Sequence, residues 1–189
     1  MTYYVVKYTG PFGFIKPWTS VRDGITFSQQ FLTPSSIEGI RQLFGVKKIL
    51  RHRLSYQGMS RQQERIQSPG YDNKIIKGRK GWKRFFRAES IIERTVLVSP
   101  VVHLVFSNKE DAEIAFEHHF CLCRNEDLVF PVALAEMTKE DFNLLPGFEL
   151  MYEKENDHRL LVGYNRYEDA APMYGTLKVI GDPLNRLEE

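Results

Sequence analysis

β-Favouring runs alternate with two capped helical segments, and one long basic stretch breaks the alternation; together these features predict an α+β fold. In order the chain reads strand, helix, strand, basic insertion, strand, helix, strand, then a β-rich addition. That is the order of a ferredoxin-like (RRM-like) βαββαβ core whose second and third strands extend into an inserted basic β-hairpin, or thumb. At 189 residues and 42% hydrophobic the chain can bury a core of its own. A single domain over 1–189 is expected, with the thumb at about 57–90 and the C-terminal addition at about 145–189.

Residues 3 to 8 read as a first strand buried on both sides, Tyr3 and Val5 on one face and Tyr4, Val6 and Tyr8 on the other. Gly10-Pro11 ends it, and prolines and glycines through residue 24 make the next stretch an irregular crossing whose aromatics, Trp18 among them, read as packing. Thr33-Pro34-Ser35-Ser36-Ile37-Glu38 opens a helix, with Pro in the first turn and Ser35 and Glu38 spaced as a capping box. Ile37, Ile40, Arg41 and Phe44 share a face, and Gly45 closes the helix. Free amides at such an N-terminus, around Thr33 and Ser35, are a candidate phosphate site, with simple capping as the commoner use.

Val46 to Tyr56 reads as a strand leaving the core. Glycines at 58, 70, 78 and 81, with Pro69, argue against a long helix between about 57 and 89. Order returns over 91–98 and 101–106, strands interrupted by Ser99-Pro100. Ser107 and Glu110 are spaced as a second capping box, and Ala112, Ala115, Phe116 and His119 form the expected inner stripe of a second helix. Residues 128–134 supply a further strand, 136–141 an acidic exposed turn, and 148–152, 160–164 and 176–180 three short strands.

The segment Arg41 to Arg94 holds 15 of the 26 Lys and Arg residues and four acids, a formal charge of +11, so the remainder sums to −9. Its cations are interleaved with rings. Arg51, His52, Arg53, Arg61, Arg65, Arg79, Lys80, Lys83, Arg84 and Arg87, with Trp82 and Phe85, are the candidate RNA-binding residues, since phosphates take the cations and unstacked bases take the rings. The competing reading is a solvated basic loop with Trp82 and Phe85 tucked onto the core. No strand carries the aromatic signature of an RNA-recognition motif, so RNA binding by the sheet face is not expected.

Other constellations weigh less. His52 beside Tyr56 suggests a metal-independent ribonuclease, but general acid–base work needs a second positioned group, and none is evident. His118, His119, Cys121 and Cys123 hold soft-metal donors without the spacing of a finger, so neither a metal nor a cofactor is expected, and a zinc-stabilised interaction module stays a minor alternative. Phosphate loop, nucleophile elbow and dinucleotide fingerprint are absent. No run reaches the ~20 apolar residues of a bilayer span, the start alternates like a strand, and two cysteines suit a reducing compartment; a soluble, cytoplasmic protein without membrane contact is expected.

The stretch Tyr4-Val5-Val6-Lys7-Tyr8-x-Gly10-Pro11-Phe12, followed by Phe27-Ser28-x-x-Phe31-Leu32-Thr33-Pro34-Ser35-Ser36-Ile37-x-Gly39-Ile40, resembles the N-terminal half of the Cas-five family of CRISPR-associated proteins. Residues 96–106 resemble its third strand, while 116–137 lack its usual Pro-Tyr-Leu-Gly-like run. The resemblance implies a subunit of a type I Cascade surveillance complex that grips the 5′ handle of the guide RNA, caps a filament of backbone subunits and docks the large subunit, meeting target DNA indirectly. One branch cuts precursor RNA with a Tyr, Lys and His set. That set has no residue-by-residue match here, so the resemblance carries binding and not cleavage.

Overall fold

The computed structural model describes residues 2–19, 25–67, 72–77, 83–86, 89–152 and 159–184, giving the backbone alone for 67, 72–77 and 83–86. The first half contains β1 (Thr2–Thr9), β2 (Phe12–Gly13), β3 (Ile25–Phe27), α1 (Pro34–Phe44), β4 (Arg51–Ser55), β5 (Gly58–Gln67), β6 (Asp72–Lys77) and β7 (Lys83–Phe86). After them come β8 (Glu89–Val98), β9 (Val101–Phe106), α2 (Lys109–Phe116), β10 (Phe120–Cys121), β11 (Leu128–Thr138), α3 (Lys139–Leu144), β12 (Gly147–Met151), β13 (Leu160–Asn165) and β14 (Ala171–Ile180). The chain is α+β and mostly strand.

Eight strands make one antiparallel sheet in the order β10-β11-β1-β9-β4-β12-β14-β13. Successive side chains of a strand point to opposite faces, so a β1 with large apolar side chains on each needs cover on both. Val6 and Tyr8 enter the larger core with Ile40, Phe44, Leu104 and Ala112, beneath α1 and α2. Tyr3 and Val5 enter a second core with Val105 and Phe142, which α3 supplies. The two-sided burial expected of the first strand is present.

Helix starts fall one or two residues from the expected capping boxes. Thr33 accepts the Ser36 amide at 3.2 Å, leaving Ser35 buried inside the first turn, and no Ser35–Glu38 box forms because Glu38 pairs with Arg41 instead. Asn108, rather than Ser107, caps α2 by accepting the Asp111 amide at 2.8 Å. The apolar part of the buried stripe of α2 reduces to Ala112 and Ala115, because Phe116 at the helix's end is exposed and His119 lies beyond it. The expected acidic turn is instead the end of β11 and the start of α3, where Thr138 and Asp141 form a reciprocal capping box.

Both core strands flanking the basic segment run on into it. β4 gives way at Tyr56-Gln57 to β5, and β8 gives way at Ser99-Pro100 to β9, Ser99 adopting φ +47°. Over ten register pairs, Gly58↔Val98 to Gln67↔Glu89, β5 and β8 build a two-stranded arm. β3 adds to the other edge of β8 in parallel, and β6 and β7 pair as a further hairpin. Beyond β4 in the body sheet, the three expected C-terminal strands are β12, β13 and β14, the last starting at Ala171 rather than Thr176. Among the described residues no helix is long and apolar enough to cross a membrane.

Candidate nucleic-acid interface

Two of the expected RNA-binding residues, His52 and Arg53, lie in the interior, and Arg51 beside them is part-buried. β4 is sandwiched between β9 and β12, and from His52 to Ser55 every side chain is buried, the charged ones with the apolar. Arg53 is 1% exposed and donates to Glu149 Oε2 at 2.9 Å and to the Leu145 carbonyl. Arg51 holds Glu149 through both carboxylate oxygens, at 2.6 and 2.7 Å, and reaches Asn143 at 2.8 Å. Both guanidinium groups also lie over the Phe142 ring, at 4.6 and 5.0 Å from its centroid. Burial alone would push the Glu149 carboxyl up, but the hydrogen bonds and charge of Arg51, with the charge of Arg53, outweigh it and hold it below the usual range.

On the other face of β4, His52 Nε2 accepts the amides of Leu32 at 3.2 Å and Leu150 at 3.5 Å. Burial pushes its pKa down to about 4, so the ring is neutral near pH 7 and its acceptor nitrogen is occupied. Tyr56 is also buried, stacked on Phe148 at 5.9 Å and bonded to Gln30 Nε2 at 2.6 Å. The pair suggested as a ribonuclease site is therefore part of the core. Charge in a strand marks solvent only when no acid waits elsewhere in the fold, and Glu149 lies 98 residues beyond Arg51.

The arm presents two different faces. Residues paired across strands share a face, so Arg94 and Ile92 of β8 lie with Gln62 and Glu64 of β5. This face is fastened to the body: Glu64 pairs with Arg94 and, at 3.7 Å, with Arg124, which Asp127 holds in turn at 2.6 Å. The guanidinium groups of Arg94 and Arg124 lie 5.1 and 5.7 Å from the ring centroid of buried Phe14. The opposite face is thereby turned outward.

That outer face brings together Phe27 and Ile25 of β3, Ile91 of β8, and Met59, Arg61 and Arg65 of β5. Arg61 is 69% and Arg65 75% exposed, and Phe27 beside them is 59% exposed. Their ion pairs, with Glu93 at 4.0 Å and with Glu89, are solvent-accessible and contribute little, so a phosphate can replace either carboxylate at small cost. Of the expected RNA contacts, Arg61 and Arg65 alone have described side chains at the surface. Ile25 and Phe27 escaped the sequence reading as surface residues because a three-residue strand carries no periodicity, and Phe27 stands in one cross-strand row with Arg61 by register alone.

Arg79, Lys80, Trp82 and Arg87 lie outside the described residues; Lys83, Arg84 and Phe85 fall in β7, whose side chains also lie outside them. Thr33 spends its hydroxyl on the α1 cap. The His-Cys stretch separates: His118 Nδ1 meets the Ile114 carbonyl at 2.8 Å, His119 stacks on Phe130, and Cys121 and Cys123 are exposed. Among the described residues no group of three or more His, Cys, Asp or Glu side chains is placed to hold a metal.

A chain described as "CRISPR RNA-guided surveillance complex" superposes with a TM-score of 0.55, covering 94% of this chain and 89% of that one. The fold is that of a CRISPR surveillance-complex chain. Sequence identity is 13%, so the likeness is one of fold. No family model and no curated protein sequence matches.

Proposed function

We propose that the protein is the guide-RNA-binding subunit of a CRISPR type I Cascade surveillance complex, gripping the 5′ handle and capping one end of the backbone filament without cutting RNA. The observation that carries this reading is the arm. The basic segment folds as an extension of the two strands flanking it, clamped to the body on one face and presenting on the other the exposed Arg61 and Arg65, each paired with a solvent-accessible glutamate, beside the exposed ring of Phe27. Phosphates and unstacked bases together are what such a face complements. The body supports the reading by its likeness to a surveillance-complex chain. We take its β11-β1-β9-β4 order, with α1 and α2 as crossovers, to be the ferredoxin-like core of that class. The non-catalytic part is supported by the neutral, buried His52.

The test is coexpression with a CRISPR array and candidate backbone and large subunits, followed by isolation through a tag on this chain. An RNA of uniform length should co-purify, and reversing Arg79, Lys80, Lys83 and Arg84 together should abolish its retention while the fold persists. Undiminished RNA in that variant overturns the arm assignment. Repeat RNA incubated with the protein in chelator should stay intact, and a discrete product would overturn the non-catalytic reading.

A further inference from the structure

A groove of about 540 Å³ opens on the body between α1, the turn around β10 and the edge strand β13. We propose that this groove binds one nucleotide, a base with its phosphate. The volume suits a small organic ligand, and the walls are selective in charge. Lys16 and Arg166 contribute two cations, no carboxylate is present among the described lining residues, and Trp18, Tyr164 and Tyr167 contribute rings. A merely structural cleft has no need of that combination, whereas a phosphate beside a planar base uses both halves of it.

The ring platform is built in advance. Trp18 is 47% exposed, yet its indole N–H donates to the Leu161 carbonyl at 3.0 Å and its ring meets Tyr164 edge-on at 5.7 Å. Gly163, at φ +134°, lets it sit so close: a Cβ there would lie 3.3 Å from Trp18 Cβ. The polar side is fixed against α1. Gly39 has Tyr167 Oη 3.1 Å and Arg166 Nη2 3.3 Å from where its own Cβ would be, and the Arg166 guanidinium packs over the Tyr167 ring at 5.2 Å. A fixed ring opposite a fixed guanidinium and phenol lowers the ordering cost of binding. The groove uses no residue of the arm, so this inference stands or falls apart from the arm assignment.

The nucleotide has two possible sources, free in solution or extruded from a single strand, and the experiment separates them. Wild-type protein, Trp18→Ala, Tyr167→Ala and Arg166→Glu are titrated with AMP, UMP, a six-residue single-stranded RNA and inorganic phosphate, reading bound ligand by equilibrium dialysis and Trp fluorescence. Saturable binding that each substitution weakens about tenfold or more is expected. Binding of mononucleotide identifies a free-nucleotide site, and binding of the hexamer alone identifies a site for a strand. Because Trp18, Arg166 and Tyr167 are exposed, at least two of the variants should fold, as melting curves will show. No binding of nucleotide or hexamer, equal binding of phosphate alone, or binding that the folded variants retain undiminished overturns the proposal. Loss of handle RNA with nucleotide binding intact would count against the arm assignment alone.

Discussion

Glu149 joins the C-terminal strands to the rest of the sheet, and Glu149→Ala should be among the most damaging single changes in the chain. The β4–β12 seam has one backbone register pair, Phe148↔Leu54. Its remaining polar contacts include two Arg51 hydrogen bonds and one from Arg53 to the Glu149 carboxylate. Removing that carboxylate leaves the Arg53 guanidinium, 1% exposed, with the Leu145 carbonyl in place of a counter-charge. Breaking a buried pair by deleting one partner costs about 3–5 kcal/mol. For a domain of this size that corresponds to a fall in Tm of about 6–20 °C. Differential scanning calorimetry measures it directly, with the exposed Lys48→Ala as a control that should stay within roughly 0.5 kcal/mol. A Glu149→Ala protein melting beside wild type would refute the argument. A triple variant replacing Arg51, Arg53 and Glu149 by apolar residues of similar volume should recover much of the loss, because it leaves no orphaned charge.

Acid should destabilise the fold through His52, whose pKa is about 4 when folded against the usual 6.5. The folded state then binds fewer protons between those values, so the contribution is complete above about pH 6.5 and is lost as pH falls toward 4. It amounts to roughly 2–4 kcal/mol; urea midpoints across that range should fall less steeply for His52→Gln, and parallel curves would count against it. His103 is shifted in the same direction by burial, so some slope should remain. Arg61→Glu with Arg65→Glu should weaken RNA binding and flatten its salt dependence by about one unit of slope for each phosphate left without its cation, with Tm nearly unchanged; an unaltered slope would remove these residues from the interface. Gly147→Ala should lower Tm, since at φ +140° its Cβ would stand 2.7 Å from the Leu54 carbonyl oxygen; a Tm equal to wild type would show that the seam has room.

The order of elements was legible because each long apolar run had to become a buried strand or helix face. Caps were legible to within two residues: Thr33, Ser35 and Ser36, or Ser107 and Asn108, all offer a side-chain oxygen, and which one meets an amide depends on where the chain leaves the preceding strand. Arg51, His52 and Arg53 were misread because local charge resembles a solvated surface when its neutralising acid is remote in sequence. The outer face of the arm was half legible, since Arg61 and Arg65 sit in the basic segment while Phe27 reaches them only through β3 pairing in parallel with β8. Tyr164, Arg166 and Tyr167 show the same mixture of rings and cations that singled out the basic segment. They went unnoticed because they stand outside its charge excess.

β4 and β9 belong at once to the middle of the body sheet and to the roots of the arm. A load drawn along the arm therefore passes, through the bends at Tyr56-Gln57 and Ser99-Pro100, into the ladders beside them: five register pairs between β4 and β9 and six between β9 and β1. In that geometry the bonds of a ladder are sheared together, where a strand pulled sideways would be unzipped one bond at a time. The arm is thus anchored as a tension member.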